Sequence, residues 1–314
     1  MSHSGKAEKP ALRGRQPGFS LLELMASLAV LLVVSGVIMS ALMQMMMTQG
    51  TVSNRAEMHS SVRSATEVLQ QEISQAGRAS LPGPVLPGSV TLAAAVTATG
   101  LTPVAVSSAA GMFIGEQLLI DAGANQETVK LTAVSAATNQ ITAIFNNTHL
   151  NGAPVAVVGA FASGIVPTNA PNGSTGTVLK MYGDINGDGN MVYVEYTCDT
   201  VGGNLNRNVM PFDAVTKSNP QVLLPNILPN PGGTPCFTYL QKTVGADTYV
   251  VDVAITLTVQ TQNPDPKTNQ YQLETKALLN VSPRNIFEGW QMASAGQPNR
   301  IQPMPPSVLA LLSQ

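Results

Sequence analysis

Three groups of residues in this chain have the types and spacing that chemistry needs. The first is Gly18-Phe19-Ser20-Leu21-Leu22-Glu23, where a single carboxylate heads a run of 31 residues, Leu24 to Asn54, without Asp, Glu, Lys or Arg. An acid entering a bilayer costs roughly 2.5–3.5 kcal/mol on insertion scales, so it needs a compensating partner. Cutting the chain between Gly18 and Phe19 would make one, because the new α-ammonium then lies four residues before Glu23, within about one helical turn.

The second group, Asp184-Ile-Asn-Gly-Asp-Gly-Asn-Met-Val-Tyr-Val-Glu195, fits the twelve-residue calcium loop D-x-[DN]-x-[DN]-G-x5-E. Asp184, Asn186 and Asp188 offer side-chain oxygens at alternate positions, and Gly189 allows the sharp turn. Asn190 would add its backbone carbonyl, and Glu195 would close the sphere with both oxygens. The flanks "VLKMY" and "VYVEYTC" read as strands instead of the helices of an EF-hand, which would aim Glu195 away from the loop. The same residues also read as a metal-free turn, which Asn, Asp and Gly favour on their own. Structural calcium pinning a hairpin is the one cofactor the sequence suggests; no organic cofactor is expected. The third group is Cys198 and Cys236, the only two cysteines. Outside the cytoplasm they can oxidise to a disulfide, whose loop closure is worth roughly 4 kcal/mol in the chain-entropy account; two separate thiols are the other reading.

Nothing comparable supports catalysis, and the chain reads as a non-enzyme. The three histidines, His3, His59 and His149, lie in no nucleophile motif, and His149 reads as a solvated loop residue. No Gly-rich phosphate loop and no Cys/His metal spacing occurs. The 314 residues carry a net charge of −2, a balance that argues against nucleic-acid binding.

The elements that must position these groups begin with one long helix. Lys6, Lys9, Arg13 and Arg15 precede the apolar run against one acid, Glu8, which keeps that end cytoplasmic. An ordinary secretory signal is cut after its apolar region; here the candidate junction precedes it, so the apolar segment stays on the mature chain. Leu24 to Met47 is long enough to span a bilayer. Ser27, Ser35, Gly36 and Ser40 allow close helix–helix approach, and Met39, Met43, Met45, Met46 and Met47 add adaptable apolar surface. No proline interrupts the chain between Pro17 and Pro82. Val62, Ala65, Leu69, Ile73 and Ala76 share one helical face, and Gly77 with Pro82 supplies a stop. A helix from Phe19 to about Gly77 would reach on the order of 90 Å.

The Gly-Phe junction with Glu five residues into the mature chain resembles the type IV pilin signal, a match that covers about residues 14 to 45. The resemblance implies cleavage between Gly18 and Phe19 by a prepilin peptidase, N-methylation of Phe19, and use of Glu23 to neutralise a neighbouring subunit's terminal amine during assembly. It implies other pilins as partners through the N-terminal helix, along with the inner membrane and the pilus assembly machinery. The leader would lie in the cytoplasm and the head in the periplasm before transfer into a pilus or pseudopilus. Many major pilins carry proline at the position of Ser40, so any local melting of this helix would rely on Gly36 or Gly50. In head size and strand-rich C-terminal half the chain looks like the W-type minor pilins, related to the J-type pseudopilins of type II secretion.

The expected fold class is α+β: a long N-terminal helical spine packed on an antiparallel sheet head, with a small all-β insert. The division runs 1–18 leader, 19–79 spine, 80–88 linker, 89–161 inserted β region, 162–290 pilin head and 291–314 Pro-rich tail. In the insert, Gln117–Asp121, Glu127–Val134 and Gln140–Phe145 read as consecutive strands. Its "GMFIGEQLLIDAG" and "NGAPVAVVGA" look like small β modules of bacterial and phage surface proteins, a spacer or contact surface; the other reading is a weakly ordered loop. In the head, Val178–Tyr182, Met191–Thr197 and Tyr249–Gln260 alternate as half-buried strands, and Tyr271–Val281 pairs with the last through the loop Asn263–Asn269. Trp290 and the tail are expected to pack on the surface or fray. The function these features suggest is a minor pilin in assembly, priming or tip display. The alternatives are a secretion pseudopilin, or a tip adhesin acting through the insert.

Overall fold

The computed structural model describes residues 18–83 and 89–314; the basic leader residues and most of the Pro-Gly linker lie outside them. Helix α1 runs Leu21–Gln75, 55 residues or about 80 Å. It starts two residues later than expected, because Ser20 is extended (φ −67°, ψ 143°) and Phe19 stays outside the helix. Its first half is bare, and the segment apolar enough to cross a membrane has no buried residue. Its second half buries Met58, Val62, Ala65, Leu69 and Ile73, the face given by the three- and four-residue spacing. The helix is capped at Ala76 and followed by Gly77, whose φ of 79° is open to a residue without Cβ. Gly77 N donates to Tyr182 O and Phe161 N donates to Gly77 O, so the chain leaving the helix threads straight into the head. A Cβ on Gly164 would fall 2.1 Å from the Gly77 Cα, so this crossing requires glycine.

The next segment forms β1 (Val90–Thr91), β2 (Gly100–Ala105), β3 (Gln117–Ile120), β4 (Glu127–Ser135), β5 (Gln140–Phe145) and β6 (Pro154–Val157). They form a six-stranded sheet in the order β1-β6-β3-β4-β5-β2. Its two outer strands also meet: Leu92 bridges Val106, Ala93 N donates to Ala105 O and Ser107 N to Thr91 O. The sheet therefore closes on itself as a small barrel, with its own core of Leu92, Leu118, Ile120, Ile141, Phe145 and Val155. β7 (Ala160–Phe161) instead pairs in parallel with β16 (Ile301–Gln302) near the C-terminus.

The head holds two four-stranded antiparallel sheets. One contains β8 (Val178–Gly183), β9 (Val192–Asp199), β10 (Asn204–Pro211) and β11 (Gln221–Pro225); the other contains β12 (Ile227–Leu228), β13 (Phe237–Val244), β14 (Asp247–Gln260) and β15 (Leu273–Val281). β15 pairs antiparallel with β14 across the Asn263–Asn269 loop. Tyr196, Val194 and Leu179 face α1 in the main core with Val253 and Ile255. The opposite face of the first sheet, with Tyr182, Tyr193 and Met210, is covered by α3 (Pro306–Leu312) through Val308, Leu311 and Leu312. The tail thus packs and does not fray, because Val308, Leu311 and Leu312 fall at helical spacing on one buried face. α2 (Arg284–Ser294) carries half-buried Trp290 and seals the spine: Asn285 Nδ2 donates to Gln75 O at 3.0 Å, one of the carbonyls a helix end leaves unpaired. The molecule is α+β, a long helix packed on a β-rich head.

Candidate assembly site on the helical spine

Gly18 and Phe19 lie in exposed, non-helical chain just ahead of α1. A peptide bond there can adopt the extended form that proteolysis requires, whereas one turn later it would be locked in helix. Glu23 sits in the first turn of α1, where the helix dipole favours negative charge. Its backbone N donates to Ser20 O at 3.0 Å and its carbonyl accepts from Ser27 Oγ at 2.8 Å. The carboxylate itself is exposed and forms no ion pair among the described residues. Around it Leu21, Leu22, Leu24 and Met25 are all exposed, so one anionic group stands on an otherwise apolar rod.

The Asp184–Asn190 residues form the turn between β8 and β9. Asp184 is fully buried; its Oδ1 accepts from Asp188 N at 3.1 Å and its Oδ2 from Gly189 N at 3.2 Å. Asp188 Oδ1 accepts from Asn190 N at 2.8 Å, while Asn186 is exposed. Glu195 does not join them. It is the fourth residue of β9, roughly 10 Å along the strand from its start, and it accepts from Lys217 Nζ and Tyr193 Oη, both at 2.8 Å. Burial pushes the Glu195 carboxyl up, but those two hydrogen bonds and the nearby Lys180 outweigh it and hold it below the ordinary range. The cation nearest Asp184 is Arg78, with Nε 3.7 Å from Oδ2. Among the described residues no three His, Cys, Asp or Glu side chains gather to hold a metal ion. Glu195 therefore stands apart from the Asp184–Asn190 turn, in which the Asp184 and Asp188 carboxylates accept from backbone amides.

Cys198 and Cys236 are bonded to each other, with Cα atoms 6.4 Å apart and a sequence separation of 38. The bond ties the end of β9 to the entry of β13, joining the two head sheets.

Three constellations escaped the sequence reading. Glu72 on α1 is buried and takes hydrogen bonds from Tyr196 Oη and from the Arg207 guanidinium, whose Nε lies 3.2 Å away. An acid on the apolar face of the spine was the available signal. His149, expected to be solvated, is buried between Asp121 and Glu127, at 3.1 Å from Nδ1 and 2.8 Å from Nε2. The bridge between His149 and Val96 draws it under the barrel's end, which no local pattern announces. Backbone and imidazole hydrogen bonds hold the Asp121 carboxyl below its ordinary range. Burial pushes the Glu127 carboxyl up, but bonds from Asn146, His149 and Asn147 more than offset it. Glu116 is the opposite case: fully buried, with Oε1 unpartnered and one bond from Phe113 N, it is pushed up to about 8.

Residues 13–39 match the family model for the prokaryotic N-terminal methylation motif. No curated protein matches the chain. The chain thus carries a type IV pilin-like signal at the head of a long apolar helix.

Proposed function

We propose that this chain is a minor type IV pilin, a structural subunit cut between Gly18 and Phe19 by prepilin peptidase and methylated on Phe19. The observation that carries the reading is the arrangement at the start of α1. An exposed junction precedes the bare apolar half of α1, whose one carboxylate, Glu23, lies a turn from the amine that cleavage would create. In the membrane the rod is covered by lipid; in a filament it is covered by rods of other pilins. The transfer exchanges one apolar surrounding for another, and pairing of Glu23 with a neighbour's Phe19 amine sets the axial register. An uncompensated acid inside such a bundle would be costly, so register and charge neutralisation are the same event.

A head of this size suits a subunit used at few positions, in priming or at the tip, in the manner of W-type minor pilins. The closed barrel favours tip display as a second reading, since it is a separate folded body with its own core. A J-type pseudopilin would use the same spine in a secretion piston. Mass spectrometry of the mature amino terminus tests the first step: methyl-Phe19 is expected, and an intact leader overturns the reading. Glu23→Gln is expected to leave cleavage intact while sharply reducing incorporation into filaments; unchanged incorporation removes Glu23 from the assembly role.

A further inference from the structure

The loop between β14 and β15 reaches along α1 toward its bare half. His59 Nδ1 lies 3.1 Å from Glu274, placing the start of β15 beside the polar half of the helix. Preceding residues extend the contact toward the apolar half. Asn54 Nδ2 donates to Asn263 O and Pro264 O, both at 3.4 Å, and Thr51 Oγ1 donates to Asp265 Oδ1 at 2.8 Å. A Cβ on Gly50 would fall 2.9 Å from Pro266 Cγ. The apolar run closes at Met47, so the tip sits roughly 5–10 Å beyond it along the helix. That is about the depth of the headgroup layer on one side of a bilayer.

The tip is braced. Asp265 is buried and also accepts from Lys267 N at 2.9 Å and Gln272 Nε2 at 3.0 Å, while Asn269 N donates to Asp265 O at 2.7 Å. The bonds from Lys267, Thr51 and Gln272 hold its carboxyl below the ordinary range, so the acid stays an anchor at neutral pH. What the tip shows to solvent suits a membrane surface: exposed Lys267, half-exposed Tyr271, and Val52 on the adjoining helix turn. Lysine reaches phosphates while its stem stays against apolar groups, and tyrosine favours the headgroup level.

We propose that the loop Asn263–Asn269, with Tyr271 and Val52, is a membrane-contact surface that rests in the headgroup layer around the emerging spine. The surface continues the apolar face of α1, and the proposal rests on the reading of that helix as a membrane anchor. It makes the loop a collar that fixes how far the helix sinks and how the head tilts over the bilayer.

The test uses the full chain in nanodiscs of phosphatidylethanolamine and phosphatidylglycerol, with single cysteines labelled by an environment-sensitive fluorophore; the native cysteines are already paired. Thr268→Cys reports the tip, Ala29→Cys the span, and Val215→Cys an exposed site remote from the spine. Headgroup spin labels are expected to quench the Thr268 label at least about twofold more than the Val215 label, and Lys267→Glu is expected to reduce that difference. If the Ala29 label is quenched by acyl-chain spin labels while Thr268 behaves like Val215, the collar is overturned and the anchor stands. If the Ala29 label escapes acyl-chain quenching, the anchor reading fails and the collar with it. Shielding of Thr268 that scales with protein density at fixed lipid composition would assign the tip to contact between copies and overturn the lipid partner.

Discussion

Glu116 is a fully buried carboxyl with one hydrogen bond and, among the described residues, no ion pair. Burial keeps it neutral up to about pH 8, whereas in the unfolded chain it ionises near pH 4 to 5. Across that window the unfolded state binds fewer protons than the folded one, so stability falls as pH rises and levels off above the folded value. Glu116→Gln is therefore expected to match the parent in thermal melts near pH 4 and to exceed it increasingly toward pH 8, by on the order of 4 kcal/mol. A constant difference across pH would mean that the site ionises freely. At the β8–β9 turn, Asp184 is already satisfied by two amides with Arg78 beside it. Adding calcium or a chelator is expected to leave the melting temperature unchanged; a rise with calcium would show that the turn can reopen around the ion. The motif was legible in sequence as a turn but misleading as a twelve-residue ligand set. Its final glutamate rides a strand whose alternate residues, Tyr193 and Glu195 against Val194 and Tyr196, face opposite ways.

At the scale of elements, the spine was readable in advance because apolar residues at three- and four-residue steps leave few alternatives for a proline-free stretch. The strongest strands were readable for the same kind of reason, a period of two. What pins the spine to the head was not, because Glu72, Tyr196 and Arg207 are far apart in sequence and meet only when β9 and β10 pair Tyr196 with Arg207 beneath the helix. Glu72→Ala leaves a half-buried guanidinium and a buried phenol without their acceptor and is expected to cost about 2 kcal/mol. The double variant Glu72→Met with Arg207→Met is expected to recover part of that loss in chemical denaturation. Additive losses would mean that the pair contributes nothing jointly.

For the whole molecule, the sequence shows a compositional shift after Gly77 and a β-rich insert, yet not that the insert closes on itself. Closure depends on Leu92 meeting Val106 and Thr91 meeting Ser107, pairings set by the three-dimensional path of the chain. Because the barrel has its own core, replacing residues 89–158 with a short flexible linker is expected to leave the head folded. The Cys198–Cys236 bond should still form, and filament incorporation should be retained while any surface adhesion is lost. Mass spectrometry of the bonded peptide and an attachment assay on the same cells read the two outcomes separately; loss of the bond would show that the head needs the barrel to fold. A barrel has no rim at which a foreign strand can add. On the pilin reading proposed above, subunits side by side in a crowded membrane could therefore press these bodies together without zipping into cross-linked sheets, leaving the rods as the surfaces for polymerisation.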